Sequence, residues 1–320
     1  MAVTKSLGNN VYQVCLIPES KVYTTTGYLI LGEDQKVIIE PGASPENSIW
    51  LKAFEELNIK PEQIDAIIAT HIHLDHSGGA GGLMQHCPNA TMMVHENGAP
   101  HLIDPEKLVA GSRMVYGDSF DQFFDPVISI PAERVKIQKE GDIFSVGSHQ
   151  ELRFYNAPGH AMHHLFVFDT LSQGIFSGDS AGLFYSVIYD KYKVKIALPS
   201  STPTQFDPEG MSGTLDKMLA LAPQKIYYTH FGMAEPAVEL INIVKSWLNV
   251  FSKDCLAFYE SNPNLEALSG FLHGKILDEL EKQGVPRDCP SLDNMKQDNH
   301  INAQGIISYI ERLKRAQLKK

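Results

Sequence analysis

The chain has 320 residues and a formal net charge of −11, with 43% hydrophobic and 20% charged residues. This composition is typical of a globular protein that is long enough to bury a large core. The acidic excess disfavours a nuclease or an RNA-processing protein, because phosphate recognition needs a basic surface.

Signals for membrane insertion and secretion are missing from the sequence. No apolar run approaches the roughly 18–20 residues that span a bilayer, and the first residues lack the apolar core of a signal peptide. The four cysteines are far apart and form no CxxC pair, which favours reduced thiols. We therefore expect a cytoplasmic protein that acts on a small-molecule substrate, with no nucleic-acid or membrane partner.

The N-terminal part of the chain alternates predicted strands with a helix. Apolar runs indicate strands at about 11–16, 27–31 and 36–40. Residues 47–57 have apolar side chains at helical spacing, which predicts an amphipathic helix. Because the alternation returns in a second half of the chain, it predicts an α/β protein built as a four-layer αββα sandwich.

The most informative segment is His71-Ile72-His73-Leu74-Asp75-His76, which follows an apolar strand predicted at 64–70. Alternate side chains of an extended chain point to the same side, so His71 and His73 face together. Asp75 and His76 follow where the chain turns into a helix. Imidazole is the commonest protein ligand for metals. The segment therefore predicts a site for one or two metal ions, the alternative being a polar loop that is rich in histidine by chance.

The residues 98–131 form an insertion after this first ligand group. Its apolar side chains are Leu108, Met114, Val115, Tyr116, Phe120, Phe123 and Phe124. They predict either a lid and apolar wall over the metals or an ordinary helical pair that packs on the sheet.

Three more candidate ligands stand at the ends of later apolar runs. They are His160, Asp179 and His230. A lone histidine is more often structural, but these three residues repeat one arrangement of strand, small turn and ligand residue. A sheet would deliver all three to one edge.

After His230 the pattern is purely helical. Apolar residues recur at three- and four-residue steps from Leu240 to Phe258, a second helix is predicted at about 264–282, and a last one at about Asn302 to Lys319. We expect two domains, a first at 1–234 and a helical C-terminal extension at 235–320. The extension would cover the site or form a homodimer contact.

With these ligand positions, the chain resembles the metallo-β-lactamase superfamily over roughly Asn10 to Gly232. The motifs that carry the resemblance are H-x-H-x-D-H-S-G-G-A-G, A-P-G-H-A-x-H-H and T-H-F-G, and their spacing is similar to that of the quinolone-signal thioesterase-like members. The resemblance implies a dinuclear site. It assigns His71, His73 and His160 to one ion and Asp75, His76 and His230 to the second, with Asp179 bridging.

The implied ligands offer only nitrogen and oxygen, so we expect two divalent ions, with zinc the default and iron or manganese as alternatives. A hydroxide shared by such ions would attack an ester, lactone or thioester carbonyl, and Asp75 would orient it and protonate the leaving atom. Candidates for hydrogen-bonding the ligand imidazoles and fixing their tautomers are Glu40, Thr70, His163 and His164. The oxyanion donor stays open among Tyr185, Tyr189 and Tyr192.

Departures from individual members of the superfamily narrow the function. Zinc β-lactamases of the largest subclass have Cys where this chain has Asp179, and flavodiiron oxidoreductases have Glu where it has His73. Quorum-signal lactonases have Tyr at the position of Gly182. We therefore predict a metal-dependent hydrolase. The alternatives are an iron-dependent redox enzyme on the same ligands and a regulatory or binding protein in which the metals are structural.

Overall fold

The computed structural model describes residues 2–17 and 25–318. The chain forms two compact units. The first unit comprises Met1–Asn156, His163–Gly178 and Gln224–Met233, and the second comprises Ala157–Met162, Asp179–Pro223 and Ala234–Lys320. Both units are discontinuous in sequence, and the domain boundary expected between residues 234 and 235 stays a prediction.

The strands have the following bounds: β1 (Thr4–Ser6), β2 (Val11–Cys15), β3 (Thr26–Leu31), β4 (Lys36–Ile39), β5 (Ala66–Ile68), β6 (Thr91–His95), β7 (Val135–Gln138), β8 (Ile143–Gly147), β9 (Gln150–Asn156), β10 (Leu165–Asp169), β11 (Gly174–Gly178), β12 (Leu183–Phe184), β13 (Ala197–Leu198), β14 (Lys225–Tyr228) and β15 (Met233–Ala234).

The α-helices have the following bounds: α1 (Asn47–Glu56), α2 (Leu74–Ser77), α3 (Ala80–His86), α4 (Ala99–Ile103), α5 (Glu106–Tyr116), α6 (Phe120–Phe124), α7 (Ser186–Tyr192), α8 (Pro208–Ala220), α9 (Ala237–Asn249), α10 (Cys255–Ser261), α11 (Leu265–Lys282) and α12 (Asp293–Gln317). A π-helical turn, Val250–Asp254, joins α9 to α10.

Two sheets organise the first unit. Within the described residues, one sheet has the strand order β1-β2-β3-β4-β5-β6-β7, and the other has the order β15-β14-β11-β10-β9-β8. The strands β4, β5, β6 and β7 are parallel neighbours, and so are β11 and β14. The carboxyl ends of neighbouring parallel strands meet at one edge of a sheet, which is where ligands bind in such folds.

The core of the first unit lies on both faces of the first sheet. Val37 and Ile39 of β4 point between the sheets, where they share a cluster with Phe176 of β11. Ile38 points to the opposite face and packs with Trp50 of α1. Alternate residues of a strand face opposite sides, so a continuous apolar strand serves both layers. Each large apolar side chain that leaves water there contributes about 1.5–3 kcal/mol to stability.

The second unit is mainly helical. The short ribbon β12–β13 pairs Leu183 with Leu198 and Phe184 with Ala197. The helix α8 contacts α9, and α11 contacts α12 along much of its length. The predicted α/β class is confirmed by the helix, sheet and sheet layers of the first unit, and the predicted helical C-terminal region is confirmed in the second.

The last helix is longer than the sequence predicts. It begins at Asp293 rather than near Asn302, and its predicted end at Lys319 lies outside the described residues. The segment 293–300 is polar and resembles a loop in composition. It is nevertheless helical with Met295 and Asn299 fully buried, because packing against α11 outweighs the weak local preference. Among the described residues, no helix is long and apolar enough to cross a membrane.

Candidate metal centre

The predicted ligands fall in both units, and each group is described within its own unit. The first unit contains His71, His73, Asp75, His76 and His230, and the second contains His160 and Asp179.

The loop with the first four ligands starts at the carboxyl end of β5. His73 has extended backbone (φ −61°, ψ 146°), and α2 begins at the next residue, so Asp75 and His76 lie in its first turn. The Nε2 atom of His71 and the Nδ1 atom of His73 are 2.8 Å apart. The change from extended chain to helix is therefore where the sequence predicts it, and the two imidazoles point to a common place.

A second group of ligand atoms forms around Asp75. Its Oδ2 atom is 3.5 Å from the Nε2 atom of His76 and 3.5 Å from that of His230, and these three ligand atoms all lie within 4.8 Å of one another. His230 reaches this place because β14 ends two residues earlier and Thr25 pairs with His230 in an isolated β-bridge.

Glu40 is the buried carboxylate beneath this loop. Its Oε1 atom accepts a hydrogen bond from the main-chain N of Thr70 (2.7 Å), and its Oε2 atom accepts one from Thr229 Oγ1 (2.8 Å) and contacts His76 Nδ1. Glu40 directly follows β4, the parallel neighbour of β5, and its φ of 61° is in the left-handed region, which is costly for a residue with a Cβ. The contact with Nδ1 leaves Nε2 of His76 available for a metal ion, which is how a carboxylate hydrogen-bonded to a ligand histidine acts in metal sites.

The electrostatics of Asp75 suit a ligand that stays ionised. Desolvation alone would raise the pKa of Asp75, but the imidazoles of His76, His230 and His73 outweigh it and hold this pKa well below its ordinary value. The side chain keeps 36% of its surface exposed. It is therefore an acceptor that water can reach.

The two ligands of the second unit are held by one serine. The main-chain O of Ser200 accepts a hydrogen bond from His160 Nδ1 (3.0 Å), and its Oγ donates to Asp179 Oδ2 (3.1 Å). A carbonyl oxygen only accepts, so Nδ1 carries the proton and Nε2 of His160 is the nitrogen that is left to bind a metal ion. That atom lies 3.5 Å from Asp179 Oδ2. Ser200 was not predicted as a site residue, because it lies 40 residues from His160 and no local signal marks it.

His164 and Thr70, which were also predicted to support the ligand imidazoles, lie next to His71. The ring of His164 stacks on that of His71 with centroids 4.5 Å apart, and Thr70 Oγ1 is 3.1 Å from His71 Nδ1. Tyr185, one of the three candidate oxyanion donors, is buried and donates a hydrogen bond from its hydroxyl to Asp298 Oδ2 (2.9 Å).

The other candidate tyrosines and His163 lie in different units of the chain. Tyr189 and Tyr192 lie on α7, and neither position tests the prediction of an oxyanion donor. The His163 ring is parallel to that of His71 at a centroid distance of 6.2 Å. It therefore belongs to the group of imidazoles in the first unit.

Some apolar side chains of the insertion 98–131 are buried, and others are exposed. Phe120 and Phe124 of α6 form a cluster with Leu74, which lies inside the ligand motif. On the other side, Met114 is 85% and Phe123 48% exposed. The two buried phenylalanines thus pack on the ligand motif, and both interpretations of the insertion, a lid over the metals and a helical pair on the sheet, stay predictions.

The donor set fits divalent metal ions. With metal–nitrogen bonds of about 2.1 Å, two ligands of a tetrahedral ion lie about 3.4 Å apart, close to the 3.5 Å separations around Asp75 and between His160 and Asp179. Imidazole and carboxylate ligands suit zinc, iron and manganese alike.

Comparison with known proteins agrees with this geometry. A family model described as the metallo-beta-lactamase superfamily matches residues 21–230. The chain is 28% identical over 217 residues to the metallo-beta-lactamase fold-containing protein ST1585 of Sulfurisphaera tokodaii, a match that covers 67% of this chain and 75% of that protein. The crystal structure of ST1585 superposes with a TM-score of 0.61 over 88% of this chain and 92% of the other, at 21% identity.

Two further relatives have names that describe chemistry. A hydroxyacylglutathione hydrolase of Citrobacter koseri is 30% identical over 181 residues, which cover 53% of this chain and 55% of the relative. A putative diflavin flavoprotein A 2 of Nostoc is 27% identical over 163 residues, covering 51% of this chain and 24% of the relative. The chain thus matches about half of the first protein and a quarter of the second.

Proposed function

The chain belongs to the metallo-beta-lactamase superfamily, and from this premise we propose that it is a dinuclear metal-dependent hydrolase that acts on an ester, lactone or thioester carbonyl. The observation that carries the proposal is the convergence of the Asp75, His76 and His230 ligand atoms within 4.8 Å. They lie in the same unit as the facing ring nitrogens of His71 and His73. A protein that used this fold without metal ions would have no need of such a set, although fold alone does not decide function.

The proposed ligand sets follow the family resemblance. One ion would be held by His71, His73 and His160, and the second by Asp75, His76 and His230, and Asp179 would be a further ligand. Bound there, the two ions would supply Lewis-acid activation of water and of the substrate carbonyl.

The protein's own groups would orient and move protons. Glu40 holds Nδ1 of His76, and the Ser200 carbonyl holds Nδ1 of His160, so each imidazole presents Nε2. Asp75, ionised and partly exposed, would orient the attacking water through a hydrogen bond and relay its proton directly to the leaving atom.

The proposed substrate class rests on the surroundings of the motif. The net charge of −11 disfavours phosphodiesters. The exposed apolar residues Met114 and Phe123 belong to helices that pack on Leu74 of the motif, which favours a neutral acyl compound. The hydrolase relative has a name that describes an acyl compound as its substrate.

The test combines metal analysis with a substrate panel. Protein purified without added metal is analysed by plasma mass spectrometry, and the same sample is assayed on esters, lactones, thioesters and phosphodiesters. We expect about two ions per chain and hydrolysis that is lost in His71→Ala. The matched control is His86→Ala, since His86 is an exposed histidine of α3.

Iron in place of zinc with oxygen uptake and no hydrolysis would favour the redox alternative instead. Fewer than one ion per chain together with no turnover on any substrate would contradict the proposal.

A further inference from the structure

The helix α12 presents one face to the segment 200–202, which hydrogen-bonds with His160 and Asp179. The residues of this face that contact the segment or its flanks are spaced by four, three and seven positions, which places them along one side of a helix. They are Asp298, Asn302, Gly305 and Arg312. All of these residues, and the segment that they contact, belong to the second unit.

Asn302 makes the central contact of this face. Its side-chain Oδ1 accepts a hydrogen bond from the main-chain N of Ser201 (2.9 Å), and Ser201 Oγ lies 3.0 Å from this Oδ1 and 2.9 Å from the main-chain O of Asn302. Both residues are buried, with 3% and 2% of their surface exposed. In an interior of low dielectric such fully satisfied bonds fix a single geometry.

Gly305 lets the helix approach closely at the next turn. A Cβ atom at this position would lie 2.8 Å from Ser201 Oγ and 2.8 Å from the main-chain O of Thr202. Distances this short require something to shift. The helix backbone is therefore as near to residues 201–202 as it can be, and any side chain at Gly305 would push the segment away.

Asn302 and Gly305 contact Ser201 and Thr202, which lie beside or among the residues that hydrogen-bond with His160 and Asp179. Ser200 binds His160 Nδ1 and Asp179 Oδ2, and Thr202 Oγ1 donates to the main-chain O of His160 (2.7 Å). Ser201 stands between these two residues in the chain. A shift of Ser201 therefore moves both ligand-orienting residues at once.

Residues on both sides of this segment also form hydrogen bonds with α12. On the N-terminal side of the segment, Tyr185 donates a hydrogen bond to Asp298. The strand just before Tyr185, β12, pairs with β13, which ends at Leu198, so Tyr185 is linked to the start of the segment. After it, Arg312 donates to the main-chain O of Thr204 (2.8 Å) and of Phe206. With both ends held, the segment has little freedom to adjust if the central contact is lost.

We propose that Asn302 is a positioning residue for the metal centre, which acts through Ser201 and Ser200 on His160 and Asp179. The inference rests on the proposed function, because it takes His160 and Asp179 as metal ligands. In this role the C-terminal helix α12 is part of the machinery that sets metal affinity, although it supplies no ligand itself. Outer-shell partners of this kind typically change metal affinity by about 10–100-fold when they are removed.

The first experiment compares two buried asparagines of α12. Zn(II) affinity is measured by competition with a chromophoric chelator for the full-length wild type, Asn302→Ala and Asn299→Ala. Asn299 is fully buried three residues earlier but contacts His273 of α11 instead (3.0 Å). We expect Asn302→Ala to bind Zn(II) about 10-fold more weakly and Asn299→Ala to bind like the wild type, although both lose thermal stability. Asn302→Asp keeps the acceptor oxygens and should restore affinity.

A second variant tests the same contact without removing a hydrogen bond. Gly305→Ala should weaken Zn(II) binding in the same direction, and Gly270→Ala on α11, where an added Cβ meets nothing within 4 Å, should not. Wild-type protein that binds two ions, together with unchanged affinity in Asn302→Ala and Gly305→Ala, would overturn the inference and leave the proposed function intact. Wild-type protein that binds no metal would overturn the proposed function itself.

Discussion

The carboxylate of Glu40 contacts Nδ1 of His76 in the interior of the first unit, 36 residues away along the chain. It also accepts hydrogen bonds from Thr70 and Thr229, so it joins the start of the ligand loop to the strand end before His230. One buried carboxylate thus orders both sides of the group around Asp75.

Glu40→Gln should weaken Zn(II) binding by about 10–100-fold. The neutral amide still offers one acceptor oxygen, but it no longer stabilises the Nδ1–H of His76 with a charge. Competition with a chelator measures the affinity. Glu33→Gln is the control, because Glu33 is an exposed carboxylate that also accepts bonds from a serine, Ser148. Equal affinities of Glu40→Gln and wild type would contradict the assigned role of Glu40.

Asp75→Asn should lower kcat by about 10²–10⁴-fold on the best substrate of the panel, measured at saturating Zn(II). Asparagine keeps a ligand oxygen but cannot accept the proton of the attacking water. Circular dichroism should show an unchanged fold. If the variant keeps the wild-type kcat, Asp75 is not the proton-transfer group. If the hydrolysis is lost but the biological activity persists, the binding-protein alternative gains support.

Gly178→Ala should destabilise the protein by more than about 2 kcal/mol. Gly178 has φ +48°, and a Cβ there would lie 2.2 Å from Thr70 Oγ1 and 2.9 Å from His164 Nε2. Gly141→Ala separates the two causes, since Gly141 has φ +85° and open space around it. Chemical denaturation of both variants checks this, and equal losses at the two positions would show that the crowding near Thr70 is unimportant.

Asp298→Asn should make stability less dependent on pH. Burial raises the pKa of Asp298 from 3.8 to about 7, so the folded state binds this proton more tightly than the unfolded state. The resulting stabilisation is complete below pH 3.8 and is lost as the pH rises through about 7. Asparagine can still accept the bond from Tyr185 but has no charge to bury.

The melting temperatures of wild type and Asp298→Asn should therefore agree near pH 4 and diverge towards pH 8, with the variant more stable. Other buried acids cancel in this comparison. Glu46, whose pKa burial also raises to about 7, is present in both proteins. Parallel curves over this range would show that Asp298 is ionised in the folded protein.

Much of the fold follows from local pattern. The strands near 11–15, 26–31 and 36–39 and the helices α1 and α11 lie where apolar periodicity predicts them, because burial of one face repeats with the period of the element. The start of α12 was missed, because residues 293–300 are polar and become helical through contacts with α11. Local composition does not contain this contact.

The same division applies to the candidate site. The candidate ligands from His71 to His76 could be predicted from the sequence alone, since six consecutive residues need only a strand end and one helical turn to bring their side chains together. Only the folded chain shows which residues contact the candidate ligands. Glu40 is a candidate already in the sequence, and its partner His76 lies 36 residues away. Ser200 and Asn302 are ordinary residues in their local sequence, and their partners lie 40 and 101 residues away. A buried hydrogen bond depends on where the folded backbone brings two groups, so these roles exist only in the folded chain.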